Sequence, residues 1–307
     1  MAELIGIDVG GTNIKTALVD RNRVIKRFRF PTRAREGLDT VIGQIVKAVL
    51  IFKKKTRVGI GIAGLIDSEQ GIVHFSPNLY GWNDVKLKAI LEKETGFNIS
   101  IINDVNAITI GEWKFGAGKG VNDLFCFTLG TGVGGGIVSG GKLQVGASSM
   151  AGEFGHTTIN FNGPRCKCGN VGCLERYVGA EYIVKMAKRM IRSRRSTLRS
   201  YKILTPKIIA QEARHDQVAR EVFNRIGTYV GFGLVNIIHL LDPEVIVISG
   251  GIARAGTVLL EAIEKILVKR VMNFNERKIR IVPGKFGDDA GVIGATYFAR
   301  HFNSNLF

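Results

Sequence analysis

Apolar residues gather in two short strand-like blocks near the amino end, LIGIDV and IKTALVD, joined by Gly10-Gly11-Thr12-Asn13. Two such blocks around a glycine-rich link predict a β-hairpin rather than strand, loop and helix. The period then changes. Over 38–55, Leu38, Val41, Ile42, Ile45, Val49 and Phe52 recur at helical spacing and basic residues close the carboxyl end, so a helix is predicted there. VGIGIAG (58–64) reads as a buried strand. A short helix over 84–95 leads to the strand ISII and to a strand-to-helix junction at Asn103-Asp104-Val105-Asn106-Ala107. LFCFTLGTGVGGGIVSG (124–140) repeats the opening hairpin: aligned without gaps, Asp8 falls on Thr128, Gly10 on Gly130 and Thr12 on Gly132. The chain therefore reads as internally duplicated. Helices are predicted over 180–193, 206–214 and 217–241, the last apolar enough to be central to a core. EVIVISGGIA returns to a strand and a glycine turn at Gly250-Gly251, and a final strand (279–283) precedes Asp289-Ala290-Gly291 and a closing helix.

Composition narrows the class. A chain of 307 residues is long enough for two domains with their own cores, and 45% hydrophobic residues exclude disorder. The first residues, MAELIGID, lack a basic n-region, and no window approaches the roughly 18 apolar residues that span a bilayer. A cytoplasmic protein without membrane contact is expected. The net charge of +17 raises nucleic-acid binding, and its densest run is KRMIRSRRSTLRSYK (188–202). That run holds one aromatic residue and no recognisable reading module, so it reads as a solvated helix and loop, and no nucleic-acid partner is expected.

The candidate chemistry lies in the turns. Neither glycine hairpin is a P-loop, because no Gly-Lys-Ser/Thr is present and a strand follows each. Their backbone N–H groups, with Thr12 in the first loop and Thr131 in the second, can instead cradle phosphate oxygens. A dinucleotide fingerprint fails for the same reason: IVSG is strand-like where that fingerprint needs a helix. Asp8 ends the first strand, placed either to hold Mg²⁺ through water or to cap the turn. Asp104 either caps the helix that follows or projects from the carboxyl edge of the sheet, where open α/β folds bind ligands. Between 153 and 175 the chain sets out Glu153, His156, Cys166, Cys168, Cys173 and Glu175. Three thiolates and an imidazole make a closed tetrahedral zinc site without a position for water, so the zinc is read as structural. The alternative is a disulfide or redox pair. Cys126 lies inside a strand and reads as core.

EFGH followed by CKCGNVGCLE resembles the signature of the ROK family of sugar kinases and sugar-responsive repressors, Glu-x-Gly-His before C-x-C-G-x-x-G-C-x-E, with every position filled. The two glycine hairpins are likewise similar to those of the actin, Hsp70 and hexokinase superfamily. The resemblance implies an α/β, duplicated actin/hexokinase-like (ribonuclease H-like) two-domain fold with a ligand cleft between domains. Residues 1–118 with 290–307 would form the smaller domain, and 119–289 the larger one carrying the zinc loop. It further implies ATP-dependent phosphorylation of a hexose, glucose first, at its 6-hydroxyl. Asp104 resembles the general base. Asn78, Asn103, Glu153, His156 and Glu175 would bind sugar, His156 binding zinc as well. Asp8, Gly10, Gly11, Thr12, Asn13, Gly130, Thr131, Gly132, Gly250 and Gly251 would hold Mg²⁺-ATP, although Gly250-Gly251 by spacing alone is an ordinary turn and Asn78 an ordinary loop residue. A homo-oligomer, dimer or tetramer, is expected. The rivals are another acceptor (mannose, fructose or an N-acylhexosamine such as N-acetylmannosamine), polyphosphate as donor, and a repressor. Family repressors carry a helix-turn-helix ahead of the first strand, and with that strand beginning near Leu4 none is expected here.

Overall fold

A computed structural model describes residues 3–252 and 256–302. It divides into two compact units: residues 1–120, 142–151 and 288–307, and residues 121–141 and 152–287. In the first, β1 (Leu4–Val9), β2 (Asn13–Asp20) and β3 (Arg23–Pro31) precede α1 (Leu38–Leu50) and β4 (Val58–Ile62). Three short strands follow, β5 (Leu65–Asp67), β6 (Ile72–Phe75) and β7 (Asn83–Val85), then α2 (Leu87–Thr95), β8 (Ile99–Asn103) and α3 (Asp104–Phe115).

The predicted hairpin forms, with Val9 opposite Ile14 and Asp8 opposite Lys15. β4 and β8 add in parallel, giving the order β3-β2-β1-β4-β8, while β5, β6 and β7 make a small separate sheet. The helix expected over 84–95 begins at Leu87, because Asn83–Val85 pairs with β6 instead. β3 goes unpredicted: it is an edge strand whose residues are exposed or half-buried, and its Lys and Arg replace a buried apolar stripe.

Glycine spacing decides how helices cover this sheet. Ile5, Ile7, Ile60, Ile62, Ile99 and Ile101 pack into one core with Val41, Ile45 and Val49 of α1 and Leu87 and Leu91 of α2. On the alternate positions a Cβ at Gly59 would lie 1.9 Å from the Ala295 carbonyl oxygen, so the closing helix rests directly on the β4 backbone.

The second unit opens with β9 (Leu124–Leu129) and β10 (Val133–Ser139), and the short β11 (Lys142–Gln144) hydrogen-bonds along β10 as the edge strand of the same sheet. After the cysteine-rich loop come α4 (Glu175–Val178), α5 (Ala180–Met190), α6 (Pro206–Glu212) and α7 (Gln217–Leu241). β12 (Val245–Ser249), α8 (Thr257–Arg270), α9 (Phe274–Arg277) and β13 (Arg280–Pro283) complete it, and α10 (Ala290–His301) returns to the first unit. The order β2-β1-β4-β8 recurs as β10-β9-β12-β13, antiparallel in the hairpin and parallel beyond it, which establishes the duplication. α7, started by the Asp216 side chain accepting from the Ala219 amide at 2.8 Å, runs through the core with Val222, Phe223, Ile226, Val230 and Leu234 buried. No described helix is long and apolar enough to cross a membrane.

Candidate active site and metal centre

In the first unit the carboxyl edge of the parallel strands gathers Asp8, the Gly10–Asn13 turn, Asn103 and Asp104. Val9, Ile62 and Asn103 lie in register at the ends of β1, β4 and β8. The Gly10-Gly11-Thr12 turn therefore opens on the same edge as Asp104. The amide of Gly10 donates to the Asn13 carbonyl at 3.0 Å, and Thr32 Oγ1 donates to the Gly10 carbonyl at 2.6 Å. Asn78 is exposed beside this turn: a Cβ on Gly11 would meet its Cβ at 3.2 Å.

The helix cap is Asn103. Its Oδ1 accepts from the amides of Val105 (2.9 Å) and Asn106 (3.1 Å), and its Nδ2 donates to the Gly64 carbonyl at 3.1 Å. One Nδ2 hydrogen is left for a ligand. Asp104 is the first helical residue, half-buried, with Oδ1 accepting from the Val105 amide at 2.9 Å. Asp8, 16% exposed, accepts from Lys15 Nζ at 3.1 Å, and Lys15 also reaches Asp288 at 3.9 Å. Lys15 was not anticipated, yet counting outward from the turn places it opposite Asp8.

The second unit repeats the turn. Thr128 and Ser249 pair at the ends of β9 and β12, just before Gly130-Thr131-Gly132 and Gly250-Gly251. Gly250 has a φ of +90° and lies against the Leu129 carbonyl; the residues that follow Ile252 in that turn, 253–255, lie outside the described residues. Glu175 Oε2 accepts from the Val133 amide at 3.0 Å, and a Cβ on Gly132 would come within 2.6 Å of that oxygen. Glycine at 132 thus makes room for Glu175.

Each residue of EFGH has a physical task. Phe154 is 2% exposed and meets Phe125 and Phe127 edge-on at 5.1 and 5.5 Å. A Cβ at Gly155 would lie 2.2 Å from the Val133 carbonyl oxygen. Glu153 and His156 are thereby left at the surface on an anchored turn, with His156 Nε2 at 3.9 Å from a Glu153 oxygen.

His156 Nδ1, on the other side of the ring, faces Cys166 Sγ at 3.7 Å, and Cys168 Sγ lies 3.7 Å from Cys173 Sγ. All four donor atoms fall within 4.8 Å of one another. A tetrahedron with metal–sulfur bonds of about 2.3 Å has edges of about 3.8 Å, so the set fits a four-coordinate metal. The chemistry fits too. Burial first, and then the other two thiols, push Cys173 up to about 12, while the Asn170 backbone draws Cys168 below the usual thiol value. Crowded thiols of this kind give up their protons to a cation. Asn170 also braces the loop through its Nδ2, at 3.0 Å from Thr158 Oγ1 and 3.4 Å from the His156 carbonyl.

Comparison with known proteins agrees with these motifs. The ROK family matches residues 4–301. This chain belongs to the ROK family. It is 35% identical to a glucokinase of Thermotoga maritima over 95% of its own length and 96% of that protein. The structure of a ROK family glucokinase from Streptomyces griseus, in complex with glucose and AMPPNP, superposes with a TM-score of 0.87 at 32% identity, covering 97% of this chain and 99% of that one. A xylose repressor of Bacillus spizizenii is 31% identical over 97% of this chain and 77% of the repressor. The ROK chain described here therefore has the two-domain actin/hexokinase-like α/β fold.

Proposed function

We propose that this chain is a sugar kinase that transfers the γ-phosphoryl group of ATP to the 6-hydroxyl of glucose. The observation that carries the reading is the pair of glycine hairpins in matching sheet positions together with Asp104, a carboxylate at a strand end whose helix is capped by another residue. The glucokinases of similar sequence support the acceptor and donor.

Phosphoryl transfer asks a protein mainly for positioning and charge stabilisation. Asp104 would accept the proton of the attacking hydroxyl, while Asn78, Asn103, Glu153, His156 and Glu175 orient the ring. The Gly10-Gly11-Thr12-Asn13 and Gly130-Thr131-Gly132 turns would direct backbone N–H groups at the donor phosphates, with Gly250-Gly251 beside the nucleoside. Asp8 offers the hard oxygen that Mg²⁺ requires, and bound Mg²⁺ would neutralise phosphate charge. His156, Cys166, Cys168 and Cys173 would hold a structural zinc that keeps the His156 ring oriented through Nδ1.

A coupled assay over glucose, mannose, fructose and N-acetylmannosamine, each with ATP and with polyphosphate, tests the reading. Glucose with MgATP should give the highest kcat/KM. Turnover of another hexose at higher kcat/KM would replace the acceptor, and a preference for polyphosphate would replace the donor. The similarity to a xylose repressor supports a second reading, a sugar-responsive DNA-binding protein. Sugar-dependent binding of an operator without phosphorylation of any sugar would decide for it.

A further inference from the structure

Beside the second glycine hairpin lies a cavity of about 120 Å³, lined among others by Thr131, Lys167, Glu175, Arg176, Glu181 and Tyr182. The amide of Ala180 donates to the Gly130 carbonyl at 3.1 Å, which ties the start of α5, and with it Glu181 and Tyr182, to the hairpin.

The charges on its walls are unevenly committed. Glu175 is engaged by the Val133 amide, and Glu181 by Lys185 at 2.5 Å. Lys185, and behind it Lys167 and Arg176, hold the Glu181 carboxyl below its ordinary value. Lys167 is exposed and makes no ion pair among the described residues. The Arg176 guanidinium lies over the Tyr182 ring, 4.3 Å from its centroid, and its Nε is buried without a hydrogen-bond partner. A buried guanidinium N–H without an acceptor is costly, and a stacked, oriented guanidinium is the donor that phosphate oxygens match best.

The surroundings would draw anions towards it. Residues 180–225 carry twelve Lys and Arg against four Asp and Glu, a net +8 of the chain's +17. Lys188 and Arg189 on α5, and Arg192 and Arg195 beyond it, are exposed. Concentrated positive potential of this kind raises the local concentration of a polyanion. The second glycine hairpin, 124–140, contains no lysine or arginine, so the charge of a donor in the second unit needs cations from elsewhere.

We propose that this cavity is a phosphate subsite for the donor, in which Arg176 and Lys167 bind a phosphoryl group that is not transferred. The inference rests on the kinase reading and adds donor-binding residues that lie outside both hairpins. The experiment compares wild type, Arg176→Gln and Lys167→Gln. Calorimetric titration with inorganic tripolyphosphate gives direct binding, steady-state kinetics give the KM values for ATP and sugar, and zinc content with Tm reports the fold. Each substitution should weaken tripolyphosphate binding and raise the KM for ATP roughly 10-fold, the effect of one lost interaction of about 1.4 kcal/mol. The sugar KM and the zinc content should hold. Unchanged tripolyphosphate binding, or an unchanged KM for ATP, in both variants would overturn the subsite and leave the kinase reading standing. A sugar KM that rises as far as the ATP KM would also overturn it, since Arg176 would then be acting through Glu175. Should Arg176→Gln fail to fold, Lys167→Gln on the exposed wall still decides. Tripolyphosphate binding that depends on both residues, in a protein that phosphorylates no sugar, would keep the phosphate site and remove the kinase reading.

Discussion

Asn103 and Asp104 are neighbours with separable tasks. Asn103 spends both lone-pair directions of Oδ1 on the first turn of α3 and one Nδ2 hydrogen on Gly64, so Asn103→Ala should cost about 1–2 kcal/mol of stability, measured by denaturant titration. Asp104→Asn leaves that cap in place. If Asp104 is the base, kcat should fall by roughly 10²–10⁴ with Tm and sugar binding retained. More than about a tenth of wild-type kcat remaining would move the base to another carboxylate. Gly132 makes a sharper test of the second hairpin than substrate contact alone would give. A Cβ there meets Glu175 Oε2 at 2.6 Å, so Gly132→Ala should raise the KM for sugar through a displaced Glu175. A rise confined to the KM for ATP would contradict this. The sequence narrowed the cap and the proposed base to one dipeptide. It could not say which residue turned back on the helix, because that depends on rotamers fixed by Gly64 and the strand end.

At the scale of elements, the loop between β11 and α4 is held by an aromatic anchor and a cluster of thiols. Phe154 packs into the core of the second unit against Phe125 and Phe127, and truncation to Ala should cost about 3–5 kcal/mol. The same truncation should raise the KM for sugar, because Glu153 and His156 flank the anchor in the chain. A metal held by His156 and the three thiols would contribute differently. Elemental analysis should find about one zinc per chain, and Cys168→Ser should lower both zinc content and Tm, since metal binding is linked to folding of the loop. Active protein purified without metal would remove the zinc. C-x-C and a third cysteine are visible in the sequence as a knuckle, whereas the choice of His156 Nδ1 is visible only once the turn through Gly155 is closed against the Val133 backbone.

For the molecule as a whole, two features dominate: the duplicated sheet and the uneven charge. With +17 overall, electrostatic adhesion to DNA is expected at low salt whatever the function. In a gel shift with random-sequence duplex, binding should disappear between about 50 and 200 mM salt and should not respond to glucose. Binding that persists at about 200 mM and is released by a sugar would favour the repressor reading. Part of the cationic surface is already occupied within the chain. Arg194 and Arg225 pair with Glu221, and Arg199 donates to the Ile191 carbonyl at 2.9 Å, so the run from 188 to 202 is in part a fastening of α5 to α7.

What the sequence determined by itself was local and periodic: the two glycine hairpins, the strand ending at Asn103-Asp104, α7 and the cysteine set. Each rests on contacts between residues close in the chain or on a repeat of 2 or 3.6, and such patterns survive without knowledge of the partner surface. The edge strands β3 and β11 and the small sheet of β5 to β7 were decided by tertiary structure. Those segments are short or exposed, and their backbone groups take whichever partners the finished sheets leave open. The same holds for single residues. Lys15 on Asp8, Glu175 on the Val133 amide and Arg176 over Tyr182 are meetings of side chains with groups on other strands, turns or helices, fixed only when the backbone between them has closed.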